Sequence, residues 1–356
     1  MRTWKTLPAA GLLTCVLLVV LVLAGCGSST SDTTAPVGDT TATGESTDTT
    51  ATEAQETIEL DLVCFLGSQE PITALIPIWI DMVDQETDGS VVINYRGGPE
   101  VIPPTELIEA VRSGVVDIGF TATSWYESLA REMQALSLSE HTPWEERENG
   151  FFEYFSERHR LIGVEYLGRW LSETPFYIWV NKEVSGSADL RGMTLRTRAG
   201  HLDVFMKSLG INAISVDPGE VYSALERGIV EGFSYLLVGP RAQGWTDSVK
   251  YLIDEPFYGA QNTTIIANPS SWAKLSAEQQ AQVMKATEEF ERAMIDELLA
   301  MQEEERGELE SVGVTFIKFA PDDARAYTAA AYAAGWSVLE EQTPELVEDI
   351  KRVARK

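Results

Sequence analysis

Asp217-Pro218-Gly219-Glu220-Val221-Tyr222-Ser223-Ala224-Leu225-Glu226-Arg227-Gly228-Ile229-Val230-Glu231-Gly232, read together with Leu190-Arg191-Gly192-Met193-Thr194-Leu195-Arg196-Thr197-Arg198 before it, decides the fold of this chain. Met193 to Thr197 alternates apolar and polar side chains, the period of a strand, and Gly192 suits a tight turn at its start. Arg196 therefore falls near a strand end. In the longer stretch Asp217 is an N-cap type, Pro218 fits the first helical position, and Glu220 stands where a capping-box carboxylate reaches back. The pattern predicts a helix to about Arg227, ended by Gly228.

Working outward, the same unit occurs once more. Glu106, Ala110, Val111, Gly114, Val115, Val116 and Asp117 match Glu220, Ala224, Leu225, Gly228, Ile229, Val230 and Glu231 at a constant offset of 114 positions. Each set reads as a helix closed by Gly and leading into a strand with an acidic end, which predicts two lobes of similar design. Strand-like Ile58 to Leu66, a helical pattern from about Pro71 to Gln85, the strand Val91 to Tyr95, a helix from about Thr105 and a strand Val115 to Phe120 surround the first copy. Strands alternating with helices predict an α/β fold with largely parallel sheets, in which ligands bind beyond the carboxyl ends of the strands.

Further on, Ser276-Ala277-Glu278-Gln279 is a capping box opening a segment whose Val283, Ala286, Phe290, Met294, Leu298 and Met301 recur at helical spacing. Those side chains read as core, and the Glu-rich opposite face as solvated. Unbroken to about Glu310, the helix would hold roughly 35 residues at about 1.5 Å each and could brace both lobes. A strand Val314 to Ile317 and a helix after Pro321 close the chain.

The first residues carry an address. Arg2 and Lys5 precede an apolar run from Gly11 to Leu23 that ends Leu23-Ala24-Gly25-Cys26. A basic start, an apolar middle and small residues before a cut make a signal segment over residues 1–25. Cys directly after Leu-Ala-Gly resembles a bacterial lipobox, in which Cys26 takes the lipid and becomes the new N-terminus. The apolar run is shorter than the roughly 20 residues that span a bilayer. Residues 26–56 are almost all small, polar or acidic and hold no aromatic side chain. Such a segment buries too little apolar surface to offset its chain entropy, so it reads as a tether.

Composition removes several function classes. The chain has 27 Lys and Arg against 55 Asp and Glu, a formal net charge of −28, and loss of residues 1–25 removes two cations and no acid. Nucleic acid and anionic lipid both need a basic surface, so neither is a partner. An anionic solute is repelled at long range, and any anion site has to be a local cluster of Arg. Cys15 lies in the leader and Cys26 at the anchor, leaving Cys64 as a buried free thiol with no disulfide framework. The three histidines, His141, His159 and His201, have no His or Cys at metal-ligand spacing, and no nucleophile elbow or phosphate loop is present. No cofactor, no metal and no catalysis are expected.

Asp189-Leu190-Arg191-Gly192-Met193-Thr194-Leu195-Arg196 followed by Glu220-Val221-Tyr222-Ser223-Ala224-Leu225-Glu226-Arg227-Gly228-Ile229-Val230-Glu231-Gly232 resembles, in order and spacing, the extracytoplasmic solute-binding proteins of TRAP transporters, the family typified by the C4-dicarboxylate-binding protein. Glu109 to Gly119 and Trp272 to Gln280 extend the resemblance over most of the chain after about residue 57. It implies a two-lobed, periplasmic-binding-protein-like α/β fold with a ligand cleft between the lobes. It also implies an extracytoplasmic receptor that delivers a small organic acid to an integral membrane permease. The first lobe is expected over 57–175, completed by about 256–312, and the second over 176–255, completed by about 313–356.

In the family the Arg matching Arg196 clamps a ligand carboxylate; without the motif, a surface ion pair is the ordinary reading of such a residue. Arg198 and Arg169 are weaker candidates. The position where many members carry a second ligand-facing Arg falls at Phe176, and a frequent Asn falls at Tyr235, which points away from a second acid group. Val238-Gly239-Pro240 resembles the branch that binds 2-oxo and other monocarboxylates, but that branch's Glu-Trp is replaced by Leu236-Leu237, so the resemblance lends no support to a bound cation. Trp170, Phe176, Tyr177, Tyr235 and Trp245 can stack on a ligand or belong to the core. The expectation is a lipid-anchored receptor for a small organic acid, a monocarboxylate with an apolar or aromatic remainder. The rivals are a binding protein of an ATP-driven importer and an extracytoplasmic enzyme.

Overall fold

Gly114 and Gly228, the stops of the two repeated units, both take left-handed backbone conformations, with φ of 75° and 66°. The computed structural model describes residues 56–197 and 200–356; the leader 1–25, the tether with Cys26 as far as residue 55, and Arg198 lie outside the described residues. In chain order these form β1 (Ile58–Cys64), α1 (Leu75–Glu86), β2 (Val91–Gly97), α2 (Pro104–Ser113), β3 (Ile118–Ala122), α3 (Pro143–Glu148), α4 (Phe151–Leu161), β4 (Glu165–Arg169), β5 (Phe176–Val180), β6 (Thr194–Thr197), α5 (His201–Ser208), β7 (Asn212–Ser215), α6 (Val221–Glu226), β8 (Gly232–Tyr235), β9 (Tyr251–Phe257), β10 (Thr263–Ala267), α7 (Pro269–Trp272), α8 (Ala277–Ser311), β11 (Thr315–Ile317), α9 (Pro321–Gln342) and α10 (Val347–Ala354).

The strands make two sheets, ordered β2-β1-β3-β10-β4 and β7-β6-β8-β5-β9-β11. The repeat seen in the sequence is a repeat of structure. After α2, Val115 N–H donates to Ala110 O at 2.9 Å; after α6, Ile229 N–H donates to Ala224 O at 2.9 Å. The acidic ends do the same work in each lobe: the Asp117 carboxylate accepts from Asp61 N–H at 2.7 Å, and the Glu231 carboxylate accepts from Thr194 N–H at 2.9 Å. Each acid thus ties the strand after the glycine to the neighbouring parallel strand, β1 in one lobe and β6 in the other.

Three expectations change. The sheets are mixed, not largely parallel, because β10 runs antiparallel to β3 and β4, and β5 antiparallel to β8 and β9. β10 enters its sheet from the second lobe's side of the chain, without the local crossover helix that a parallel neighbour needs. β3 begins at Ile118, not Val115, because Val115 and Val116 are used in closing the turn after α2. Asp217 does not cap through its side chain; Pro218–Glu220 forms a 3-10 turn from which α6 continues.

The capping box at Ser276 is formed with Gln279, and α8 runs unbroken for 35 residues. Its first part packs Val283, Phe290, Met294 and Leu298 into the core of the first lobe with Leu62, Trp79 and Phe120. Its end places Leu309 in the core of the second lobe with Trp179, Phe233 and Leu252. There Arg306 pairs with Asp254 at 3.0 Å and Glu305 with Arg241 at 2.8 Å. One helix therefore belongs to both cores. Cys64 is fully buried, and burial pushes its thiol up to about 12.

Candidate functional site

Both sheets send the carboxyl ends of their parallel strands toward one cavity of about 520 Å³. Phe65 and Gly67 follow β1, Ser124 and Trp125 follow β3, Arg196 lies on β6, Ser234 and Tyr235 end β8, and Leu236 follows it. Phe176 opens β5 on the same wall. The surface is mostly apolar, with Phe65, Trp125, Leu171, Phe176, Leu202 and Trp245 among its members. Against that lining a single guanidinium stands out: among the described residues Arg196 is the only cation on the wall.

Arg196 is 4% exposed. Strand pairing sets its backbone opposite Ile214 on β7 and Phe233 on β8. Its Nε donates to Val216 O at 3.0 Å, and Nη1 lies at 3.5 Å from Ser234 O. Backbone carbonyls on two neighbouring segments thus hold the plane of the fork. Such a pre-set guanidinium can receive a carboxylate through parallel hydrogen bonds without first ordering a loose side chain.

Phe176 and Tyr235 are brought to the same cavity. Phe176 stacks on Phe257 with centroids 6.3 Å apart, and Tyr235 meets Trp245 edge-on at 5.0 Å. Tyr235 Oη donates to Glu70 Oε1 at 3.1 Å, and burial together with the Glu70 charge holds its pKa well above the usual phenol value. Tyr235 is therefore a neutral donor. Trp245, named among the ring candidates, also lines the cavity.

The other candidates lie elsewhere. Trp170 is fully buried one layer behind the wall, edge-on to Phe65 and Phe120 at 5.8 and 5.1 Å, with Nε1 donating to Thr121 O at 3.1 Å. Tyr177 alternates to the opposite face of β5 from Phe176 and joins the second lobe's core. Arg169 gives way as a ligand residue. It closes β4 facing inward, 1% exposed, and its five N–H donors are all used. Nε and Nη2 form a fork on Glu146 at 2.6 and 2.8 Å, while Leu136, Ala260 and Gln261 carbonyls accept the remainder at 2.8 Å. A guanidinium has five donors, so none is left for a solute.

Sequence reading missed Glu70, Trp125, Ser234 and Gln243, all on the wall. Glu70 follows a strand at its carboxyl end, the position where ligands gather, yet nothing marks it among 55 acids. For catalysis the arrangement offers little. His201 Nε2 lies 3.2 Å from Ser137 Oγ, but both are buried away from the cavity wall, Ser137 also donates to Gln134 O, and burial lowers the imidazole to about 4. Among the described residues no group of His, Cys, Asp and Glu is placed to hold a metal ion.

A cavity with the buried Arg196 guanidinium, the only cation among its described residues, walled by the strand ends of two similar lobes that share a long helix, is built to enclose a small anion. Known proteins resemble this chain in sequence and in fold. A solute-binding protein of Roseobacter denitrificans is 26% identical over 276 residues, covering 74% of this chain and 82% of the relative. A monocarboxylate 2-oxoacid-binding periplasmic protein of Nostoc is 22% identical over 253 residues, covering 67% and 68%. The crystal structure of a TRAP periplasmic solute-binding protein from Desulfovibrio salexigens with bound orotic acid superposes with a TM-score of 0.74 at 18% identity, over 83% of this chain and 98% of that one. The bacterial extracellular solute-binding protein family 7 matches residues 65–339. The chain thus belongs to that family, the extracytoplasmic solute receptors of TRAP transporters, and is a receptor, not an enzyme.

Proposed function

We propose that this receptor binds a small organic acid with one carboxylate, held by Arg196, whose apolar or aromatic remainder packs on Phe176, Trp245 and Phe65. The observation that carries this is the guanidinium of Arg196, the only cation among the described residues of a mostly apolar wall. Burying a second carboxylate on such a surface leaves a charge unpaired, whereas an apolar remainder gains roughly 25 cal/mol for each Å² removed from water. The Nostoc relative's name, which specifies monocarboxylate 2-oxoacids, and the planar acid in the Desulfovibrio structure support the same class. In this reading residues 57–175 with about 256–312, and 176–255 with about 313–356, move as two bodies that close on the solute. Mass spectrometry of small molecules released on denaturing the purified protein is expected to find an acid with a single carboxylate. A dicarboxylate, a neutral sugar or a peptide as the released species overturns it.

The membrane attachment belongs to the same proposal. Residues 1–25 direct export, Cys26 carries a lipid, and the tether over 26–56 lets the body reach a TRAP permease while staying at the membrane. No helix among the described residues is long and apolar enough to cross a membrane. Cys26→Ser is expected to move the protein from the membrane pellet to the soluble extracytoplasmic fraction. Retention of the processed variant in the pellet contradicts the anchor.

A further inference from the structure

Two acids, Glu70 and Asp217, share the cavity wall with Arg196. Glu70 is 6% exposed and sits at the carboxyl end of β1 in the first lobe. Its Oε1 accepts from Tyr235 Oη and from Gln243 Nε2, each at 3.1 Å, so two side chains beyond β8 reach across to fix it. Its Oε2 has no hydrogen-bond partner among the described residues. Gly239 closes over that oxygen: its φ of +120° and the 2.9 Å separation that a Cβ there would have from Oε2 leave room for no side chain. The carboxyl group is thus locked in place with acceptor capacity unused. Burial already raises its pKa above the usual carboxylate range, so the charged form is strained before any solute arrives.

We infer that Glu70 is a specificity-determining residue of the cavity, rejecting a second carboxylate on the solute and favouring an acid whose far end is uncharged. The inference rests on the reading of Arg196 as the clamp for the first carboxylate. Burial raises the Tyr235 pKa, Glu70 raises it further and Arg196 lowers it, so the ring lies within reach of both charged groups. A solute oriented by Arg196 presents its other end within a wall whose other charged groups, Glu70 and Asp217, are both acids. A second anion there meets like-charge repulsion in a poorly solvated space, or forces a proton onto Glu70. An uncharged end meets no such repulsion.

The test uses two matched pairs of acids that differ only in a methyl against a carboxylate: 2-oxopentanoate with 2-oxoglutarate, and 4-methylbenzoate with terephthalate. Calorimetry on the ligand-free wild-type protein is expected to favour the monocarboxylate of a bound pair by at least about tenfold. Glu70→Gln, which keeps the size of the side chain and an acceptor for Tyr235 and Gln243, is expected to narrow that ratio by about tenfold, chiefly through tighter dicarboxylate binding. Equal affinities in the wild type overturn the inference without recourse to any variant. An unchanged ratio in Glu70→Gln overturns it too, as does loss of both affinities in a folded variant, which makes Glu70 a general contact. Binding of no acid of either pair overturns both the inference and the reading beneath it. Arg196→Ala on the same acids separates the two claims, since unchanged affinity there removes the clamp whatever Glu70→Gln does.

Discussion

Arg169→Ala is expected to destabilise the folded protein by about 3–5 kcal/mol in urea unfolding, because it leaves the Glu146 carboxylate buried without its partner. Arg169 and Glu146 are 1% and 3% exposed, and the fork between them is bidentate. Three backbone carbonyls, those of Leu136, Ala260 and Gln261, lose donors in the same step. Arg169 also anchors a wider network, since its backbone N–H donates to Glu291, which is itself held by Arg147 at 2.7 Å. Burial already raises the Glu146 carboxyl to about 7, desolvation outweighing the pull of Arg169. Removing the cation moves it higher still. A raised acid contributes stability that is present below its unfolded value and is lost as pH rises through its folded value. The wild type therefore completes that loss near pH 7 while the variant goes on losing stability above it, so the gap between them widens from pH 7 to pH 9. A loss under about 1 kcal/mol, or a gap that narrows with pH, contradicts this account.

Much of the architecture was legible because local chemistry and tertiary demand agree. Gly114 and Gly228 have to adopt positive φ, the acids three residues beyond them have to tie neighbouring strands, and both requirements leave residue-specific marks in sequence. The cap at Ser276 and the stripe from Val283 to Leu298 likewise specify α8 from local spacing alone. Strand direction was not legible. β5 and β10 are ordinary apolar runs, and what makes them antiparallel is where the chain enters each sheet, a property of the whole path.

The site was legible in part for the same reason. Arg196 was marked by a motif, whereas Arg169 and Arg196 look alike as isolated residues near strand ends. Their surroundings separate them: Arg169 is closed inside a core by Glu146, and Arg196 lies on the cavity wall, where Val216 O accepts from its Nε. Trp170 and Phe176 differ likewise, one a layer behind the surface and one on it. Glu70 acquires its character from Tyr235, Gln243 and Gly239, more than 160 positions away, so no local pattern could have selected it.

The proposed clamp joins a solute carboxylate to Arg196. A buried carboxylate that loses its only cationic partner is worth about 2–5 kcal/mol of binding, or about 30- to several thousand-fold in Kd. The side chain is 4% exposed and its Nε is held by Val216 O, so the guanidinium enters the complex already oriented and little of the interaction is spent on ordering it. Arg196→Lys keeps the charge but replaces a planar fork by a point donor, and is expected to recover only part of the loss. Shape, apolar lining and the Tyr235 donor stay in place in both variants, so a change in affinity reports the guanidinium itself. Calorimetric titration of an acid that binds the wild type into Arg196→Ala and Arg196→Lys is the direct measurement. The predicted result is a loss of at least about 30-fold in Arg196→Ala with partial recovery in Arg196→Lys; an affinity in Arg196→Ala equal to the wild type's contradicts the claim.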